Sequence, residues 1–400
     1  VIKLVPDLFF DEKNAKQALC DFIKSTDRLS IGPQCEQFET LFAKWQERDH
    51  CTLFNSGSSA NLALIQALIN LKRIQSKEVA AFSAVTWATN VMPLMQLGLT
   101  PLPVDIEIDT LNISSRTLTL ALDKHPQVKL LFLTHLLGFC GDLDNIRRIC
   151  DERGITLIED VCESLGSEFQ GAKLGNFGLA STFSFFVGHH LSMIEGGAVC
   201  TNDPELNRML KLVRAHGWDR NLADQDKENI RRDHQITDDF FANFTFYELG
   251  FNLRPTEITG FLGIQQLPHA DKIVAKRHQN FNQFQQVVNK NPDLLPLKVD
   301  HLDIVSNFSM PIVCRSQAIA ARYIKDFTQA DVEIRPIVGG SIPEQPFFKK
   351  QIHLKMPTPN AAFVNHHGFY FGNHPKLSDT DLSILENLLQ PIQVKAGTAK

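Results

Sequence analysis

The chain has 400 residues, 43% of them hydrophobic and 21% charged, with a formal net charge of −5. That length suits one large domain plus a smaller one, and the composition is ordinary for a soluble globular protein. The charge balance gives no footprint for nucleic acid as a partner: the tightest basic cluster, at 227–234, is interrupted by acids and reads as a solvated loop or helix face.

From about residue 50 to 202, short apolar runs alternate with helical stretches. Strands are predicted at 51–56, 78–83, 100–106, 128–136, 155–161, 181–186 and 196–202. Helix-like segments lie between them, one with Asp142 placed to cap its first turn. Continuous apolar runs suit strands buried on both faces, so a largely parallel sheet covered by helices is predicted. After about residue 250 the pattern changes. A helix opening at Pro255, a polar helix near 271–290, weaker strands within 306–314 and 332–338, and helices near 317–328 and 378–390 suggest a smaller α+β unit. The tail 394–400 is expected to fray.

No apolar run approaches the roughly 18 residues needed to span a bilayer. The N-terminal stretch VIKLVPDLFFDEKN lacks a basic region followed by a long apolar segment, so a cytoplasmic protein without membrane contact is expected. The eight cysteines include no CxxC pair and are expected to be buried free thiols rather than disulfides or zinc ligands.

Ligands of open α/β sheets bind beyond the carboxyl ends of the strands, and the informative residues come just after those strands. NSGSSAN (55–61) offers Gly57, Ser58 and Ser59 at a helix start, either a phosphate cradle or an ordinary cap. Trp87 comes after the second strand and suits either a plate for a planar ring or a core position. Asp160, in LIEDVCES (157–164), is a carboxylate at the sheet edge that needs a cationic or hydrogen-bonding partner, unless it caps a helix. Ser184 then precedes GHHLSMIEGG (188–197), whose histidine pair is a reactive site, a satisfied pair or a metal site. In an extended segment His189 and His190 would face opposite ways, which disfavours a shared ion. Later, VRAHGWDRN (213–221) and LGFNLRPTE (249–257) supply His216, Arg220, Asn221, Asn252 and Arg254. Their arginine forks suit carboxylate or phosphate, or a plain surface role.

This ordered set resembles the fold type I, pyridoxal phosphate (PLP) dependent enzymes of nucleotide-sugar metabolism, the group that contains the sugar aminotransferases. The likeness runs from LSIGPQCEQFE (29–39) through NSGSSAN, IEDVCES, EGGAV and GFNLRPTE to VEIRPIV (332–338). It implies an α/β, aspartate aminotransferase-like fold. A large cofactor-binding domain over 1–250, with a mostly parallel seven-stranded sheet and an N-terminal helical segment, would be followed by a smaller α+β domain over 251–400. Gly57, Ser58 and Ser184 would hold the cofactor phosphate, with Ser59 in the same cofactor site, Trp87 would stack on its ring, and Asp160 would pair with its pyridine nitrogen. Asn252 would reach the neighbouring subunit's cofactor across a homodimer. Glu163 also falls in the cofactor site, where the aminotransferases commonly carry glutamine.

The departure is His189, which stands where those aminotransferases have lysine. Imidazole has no primary amine and cannot tether the cofactor, but it can move protons near neutral pH. In this the chain looks like the 3-dehydratases of dideoxysugar synthesis. The resemblance implies pyridoxamine 5′-phosphate (PMP) as working cofactor, His189 as general base and acid, and loss of the C3 hydroxyl from a nucleotide-linked 4-keto-6-deoxy sugar. GDP-4-keto-6-deoxymannose is favoured, with CDP- and dTDP-sugars open. L-glutamate would regenerate PMP, with His216, Arg220 and Arg254 on substrate or co-substrate. A related dehydratase family adds an iron–sulfur cluster held by closely spaced cysteines, which this chain lacks, so none is expected. The competing reading is a noncatalytic PMP-binding protein that lost its lysine.

Overall fold

Runs such as 79–83 and 128–134 are apolar on both faces, which suits strands with helices above and below. All seven predicted runs are strands in the computed structural model, which describes residues 1–351, 354 and 356–392. They are β1 (His50–Phe54), β2 (Val79–Ser83), β3 (Thr100–Val104), β4 (Val128–Thr134) and β5 (Thr156–Asp160). After a short hairpin, β6 (Glu168–Phe169) and β7 (Ala172–Lys173), come β8 (Ala180–Ser184) and β9 (Gly197–Thr201). The sheet order is β1-β9-β8-β5-β4-β2-β3. Neighbours from β8 to β3 run parallel, while β9 is antiparallel to both β8 and β1.

The C-terminal part has its own antiparallel sheet of β11 (Ser309–Val313), β12 (Ile334–Pro336) and β13 (Gly368–Gly372), in the order β11-β13-β12, while β10 (Leu302–Ile304) joins the β6–β7 hairpin. The central strand β13 and the helix Pro359–His367 before it were not predicted. Five residues between two histidines and an asparagine are too short to display a period. The helix Ala270–Val288 passes from one core to the other. Ile273 and Val274 pack with residues of the large sheet, and Phe281, Phe284 and Val288 pack with the small one.

Several local expectations need correction. Asp142 sits at the N-cap of helix Leu143–Arg153 but makes no capping bond. Its carboxylate accepts instead from the Ser115 amide at 2.7 Å, at the start of another helix. The helix expected to open at Pro255 begins at Glu257, with the Thr256 side chain accepting from the Thr259 amide. Cys20 is exposed and Cys162 half-buried, while the other six thiols are buried as expected. The basic cluster lies on helix Asp224–Asp233, which buries none of its residues. The tail 394–400 lies outside the described residues. No helix among the described residues is long and apolar enough to cross a membrane.

Two packing features fix the strands that carry the candidate site. Glu159, fully buried in β5, meets His135 Nε2 at 2.7 Å and accepts from the amides of Gly175, Phe177 and Gly178 at 2.6–2.9 Å. Burial alone would raise its carboxyl, but His135, the amides and Arg48 outweigh that and hold it below the usual carboxylate range. Gly197, at the start of β9, pairs with Phe54 of β1 on one side and Ser184 of β8 on the other. A Cβ there would overlap the Ser56 carbonyl and the Gly57 amide nitrogen, so only glycine lets the strand pass under the start of helix Gly57–Asn70. Gly197→Ala is therefore expected to destabilise the fold by about 1–3 kcal/mol. Thermal unfolding reads this directly, and an unchanged midpoint would contradict the packing argument.

Candidate active site

The helix start after β1 forms a shallow cradle. Ser56 is the N-cap, its hydroxyl accepting from the Ser59 amide at 3.1 Å and meeting the Ser59 hydroxyl at 3.0 Å. Gly57 is buried, Ser58 is exposed, and a Cβ on Gly57 would stand 2.7 Å from the Ser184 Cβ. Gly57 and Ser184 are thus in contact, with free helix amides beside them, an arrangement suited to an anion. Ser59 is engaged in the cap, so its hydroxyl is the least free of the three predicted there.

Asp160 ends β5, the middle strand of the seven. Strand alternation sends it to the face opposite Glu159. Its Oδ2 accepts from Asn90 Nδ2 at 2.6 Å and Asn61 Nδ2 at 3.2 Å, and its Oδ1 accepts from the Cys162 amide at 2.8 Å. Asp160 is buried and forms no ion pair among the described residues. It does not cap a helix: its only backbone donor lies two residues on, in a turn. Glu163, also buried, accepts from the Leu137 amide at 2.9 Å, and Leu137 holds a left-handed φ of 53°. Burial, reinforced by Asp160, pushes the Glu163 carboxyl up to about 8.

The segment 187–192 is a turn, not a strand, which corrects the premise behind the predicted divergence of the two histidines. The rings part for another reason. His190 is buried with Nε2 3.2 Å from the Ser306 carbonyl. His189 lies between Phe308, at 5.4 Å and 33°, and Phe186, edge-on at 5.9 Å. Its Nδ1 is buried without a hydrogen-bond partner. Burial pulls the His189 imidazole down to about 4, with Asp160 opposing the shift and Arg277 adding to it. Trp87 is 54% exposed, so it is not a core residue.

Four of the residues predicted from 213–254, His216, Arg220, Asn252 and Arg254, gather about the Trp218 indole. Arg220 lies over the Trp218 ring at 4.0 Å and the Phe244 ring at 4.8 Å, with its Nε and Nη2 on the Asn243 carbonyl at 3.0 and 2.7 Å. Arg254 lies 5.5 Å from the same indole and donates from Nε to Asn252 Oδ1 at 3.1 Å. His216, at φ 60°, meets Trp218 edge-on at 5.1 Å. The Asn55 amide donates to the Leu253 carbonyl at 3.1 Å, which joins this segment to the cradle. Asn221 lines a groove of about 840 Å³ beside Glu36, Arg48 and Lys211, away from Asp160 and His189.

Three features fit the cofactor that the resemblance implies: the glycine cradle, a buried carboxylate with no cation, and an imidazole with an unpartnered nitrogen. Sequence reading missed Asn61, Asn90 and Arg277. Asn61 was visible as the last residue of NSGSSAN, but nothing marked it as a partner of Asp160, 99 positions away.

Comparison with known proteins points the same way. The DegT/DnrJ/EryC1/StrS aminotransferase family matches residues 10–389. The GDP-4-keto-6-deoxy-D-mannose 3-dehydratase of Escherichia coli O55:H7 (strain CB9615 / EPEC) is 34% identical over 353 residues, 86% of this chain and 89% of that protein. A solved GDP-4-keto-6-deoxymannose-3-dehydratase variant with bound GDP-perosamine has a TM-score of 0.89 at 30% identity, over 98% of this chain and 100% of that one. A structure of the same enzyme with a trapped PLP-glutamate geminal diamine has a TM-score of 0.88 at 30% identity, with the same coverage. From cradle to small sheet, the chain belongs to the DegT/DnrJ/EryC1/StrS aminotransferase family.

Proposed function

We propose that this protein is a PLP/PMP-dependent nucleotide-sugar 3-dehydratase that removes the C3 hydroxyl of GDP-4-keto-6-deoxymannose, with glutamate as co-substrate. The observation that carries the reading is His189: an imidazole with a free nitrogen where a tethering lysine would stand, in a site that keeps a cation-free carboxylate at Asp160. Likeness to the 3-dehydratases supports it over a noncatalytic binding protein.

When bound, the cofactor supplies an amine that condenses with the sugar ketone and a pyridinium ring that accepts electrons. Gly57, Ser58 and Ser184 would hold its phosphate, and Trp87 would offer its ring a flat face. Asp160 would keep the pyridine nitrogen protonated, since Asn61 and Asn90 stabilise the carboxylate without neutralising it. Pulled down to about 4, His189 is neutral at pH 7 and free to take a proton from the cofactor's C4′ carbon. Its conjugate acid is correspondingly strong and suits protonation of the departing C3 hydroxyl. Glu163, raised to about 8, is uncharged at neutral pH and can donate a hydrogen bond within the site. Arg220 and Arg254 would grip the carboxylates of glutamate, and Arg220 must release the Asn243 carbonyl to do so.

A homodimer belongs to the same proposal. Phe240, Phe241, Phe244, Phe246 and Leu249 are each more than half exposed on the segment that carries Asn252, and a second copy would cover them. A cytoplasmic setting is supported by the eight free cysteines.

The deciding experiment incubates the enzyme with PMP, glutamate and GDP-, CDP- or dTDP-linked 4-keto-6-deoxy sugars and reads products by mass spectrometry. Loss of the C3 oxygen from the GDP sugar is expected; an amino sugar, or no product from any substrate, overturns the reading. His189→Asn should lower kcat by about 10²–10⁴-fold while cofactor absorbance on titration is retained. The pH profile of kcat/KM should be bell-shaped. Activity is lost as pH falls through about 4 and His189 protonates, and again as pH rises through about 8 and Glu163 ionises. Glu163→Gln, which stays neutral, should lose the alkaline limb only.

A further inference from the structure

Arg277 is a buried guanidinium with no carboxylate partner among the described residues. Its Nη1 donates to the carbonyls of Asn373 at 2.5 Å, Phe308 at 3.0 Å and Asn307 at 3.4 Å, and its Nη2 reaches the His189 carbonyl at 3.5 Å. Nε is buried and unpartnered. Asn373 returns the contact, its Nδ2 donating to the Arg277 carbonyl at 2.9 Å and to Asn307 Oδ1 at 2.7 Å. Backbone carbonyls alone are a poor substitute for an anion, so a guanidinium kept here is costly, and an apolar side chain would relieve that cost if packing were all it provided. What it joins is specific: the loop carrying both histidines, the 306–308 segment that receives His190 and covers His189, and the end of β13.

We infer that Arg277 is a positioning residue for His189: its fork ties the loop bearing the imidazole to the segment whose Phe308 ring covers it, and brings its fixed charge to that loop. The inference rests on the assignment of His189 as the proton-moving group. Three charged or titratable neighbours act on that imidazole or adjoin it. Asp160, at the end of β5, favours protonation; Arg277, from the helix Ala270–Val288, opposes it; and His190, next in the loop, is itself held neutral by burial and by Arg277. Phe186 and Phe308 present uncharged faces. Arg277 also adds to the burial that pulls His374 down to about 3, so one guanidinium biases three imidazoles the same way. Burial draws Arg277 itself down only to about 9, which leaves it charged at neutral pH.

The test uses full-length Arg277→Gln and Arg277→Lys. Histidine side-chain NMR on the cofactor-free protein, with His189 assigned by its loss in His189→Asn, tracks the titration without turnover. Removing the charge in Arg277→Gln should raise the His189 midpoint by about one pH unit, while Arg277→Lys should leave it near the native value. With cofactor and substrate, Arg277→Lys should lower kcat by about tenfold or more with little change in KM, because a point charge cannot hold three carbonyls and the loop at once. An unmoved midpoint in a folded Arg277→Gln overturns the inference. If that variant fails to fold, native kcat in Arg277→Lys overturns it and a kcat-only loss sustains it. Should the native enzyme prove not to be a dehydratase, the NMR titration still decides whether Arg277 governs His189.

Discussion

A carboxylate with no ion-pair partner among the described residues, buried at the end of the middle strand, is the constraint that the rest of the candidate site accommodates. Asp160 accepts hydrogen bonds from two asparagine amides and one backbone N–H. Burial dominates the behaviour of two neighbours, and Asp160 modifies each: it adds to the burial that pushes Glu163 toward its neutral form, and it favours protonation of His189 against burial and Arg277.

The scaffold was legible in the sequence where chemistry and period coincide. Strands buried on both faces need unbroken apolar runs, and these marked β1 to β5, β8 and β9 with little error at their ends. Glycines that touch backbone, such as Gly57 and Gly197, were visible as motif members, although their steric reason emerges only from the contacts they make. The small sheet was read less completely. Its central strand is five residues, mostly aromatic, and its neighbours are joined by long-range pairing that no local window contains.

Within the candidate site, short-range motifs singled out residues near strand ends, whereas residues placed by long-range bonds carried no local signal. Asp160, Ser184 and His189 each lie at or just beyond a strand end. Asn61 and Asn90 act on Asp160 from 99 and 70 positions away, and Arg277 reaches His189 across 88. Arg277 lies on a helix of polar appearance and carries no signature that separates it from a solvated arginine. The two histidines mark a limit of strand alternation: the rings do diverge, but through a turn that seats one against Ser306 and the other against Phe308.

β5 gives adjacent acids opposite occupations. Glu159 is fastened to His135 and the 175–178 loop, while Asp160 faces Asn90 and the candidate site. A slip of one position would exchange the two acids, placing Asp160 among the scaffold amides and Glu159 at the candidate site. The strand can therefore tolerate drift in its surroundings far better than any insertion or deletion along its own length, which makes it the natural origin from which distances across this fold are set.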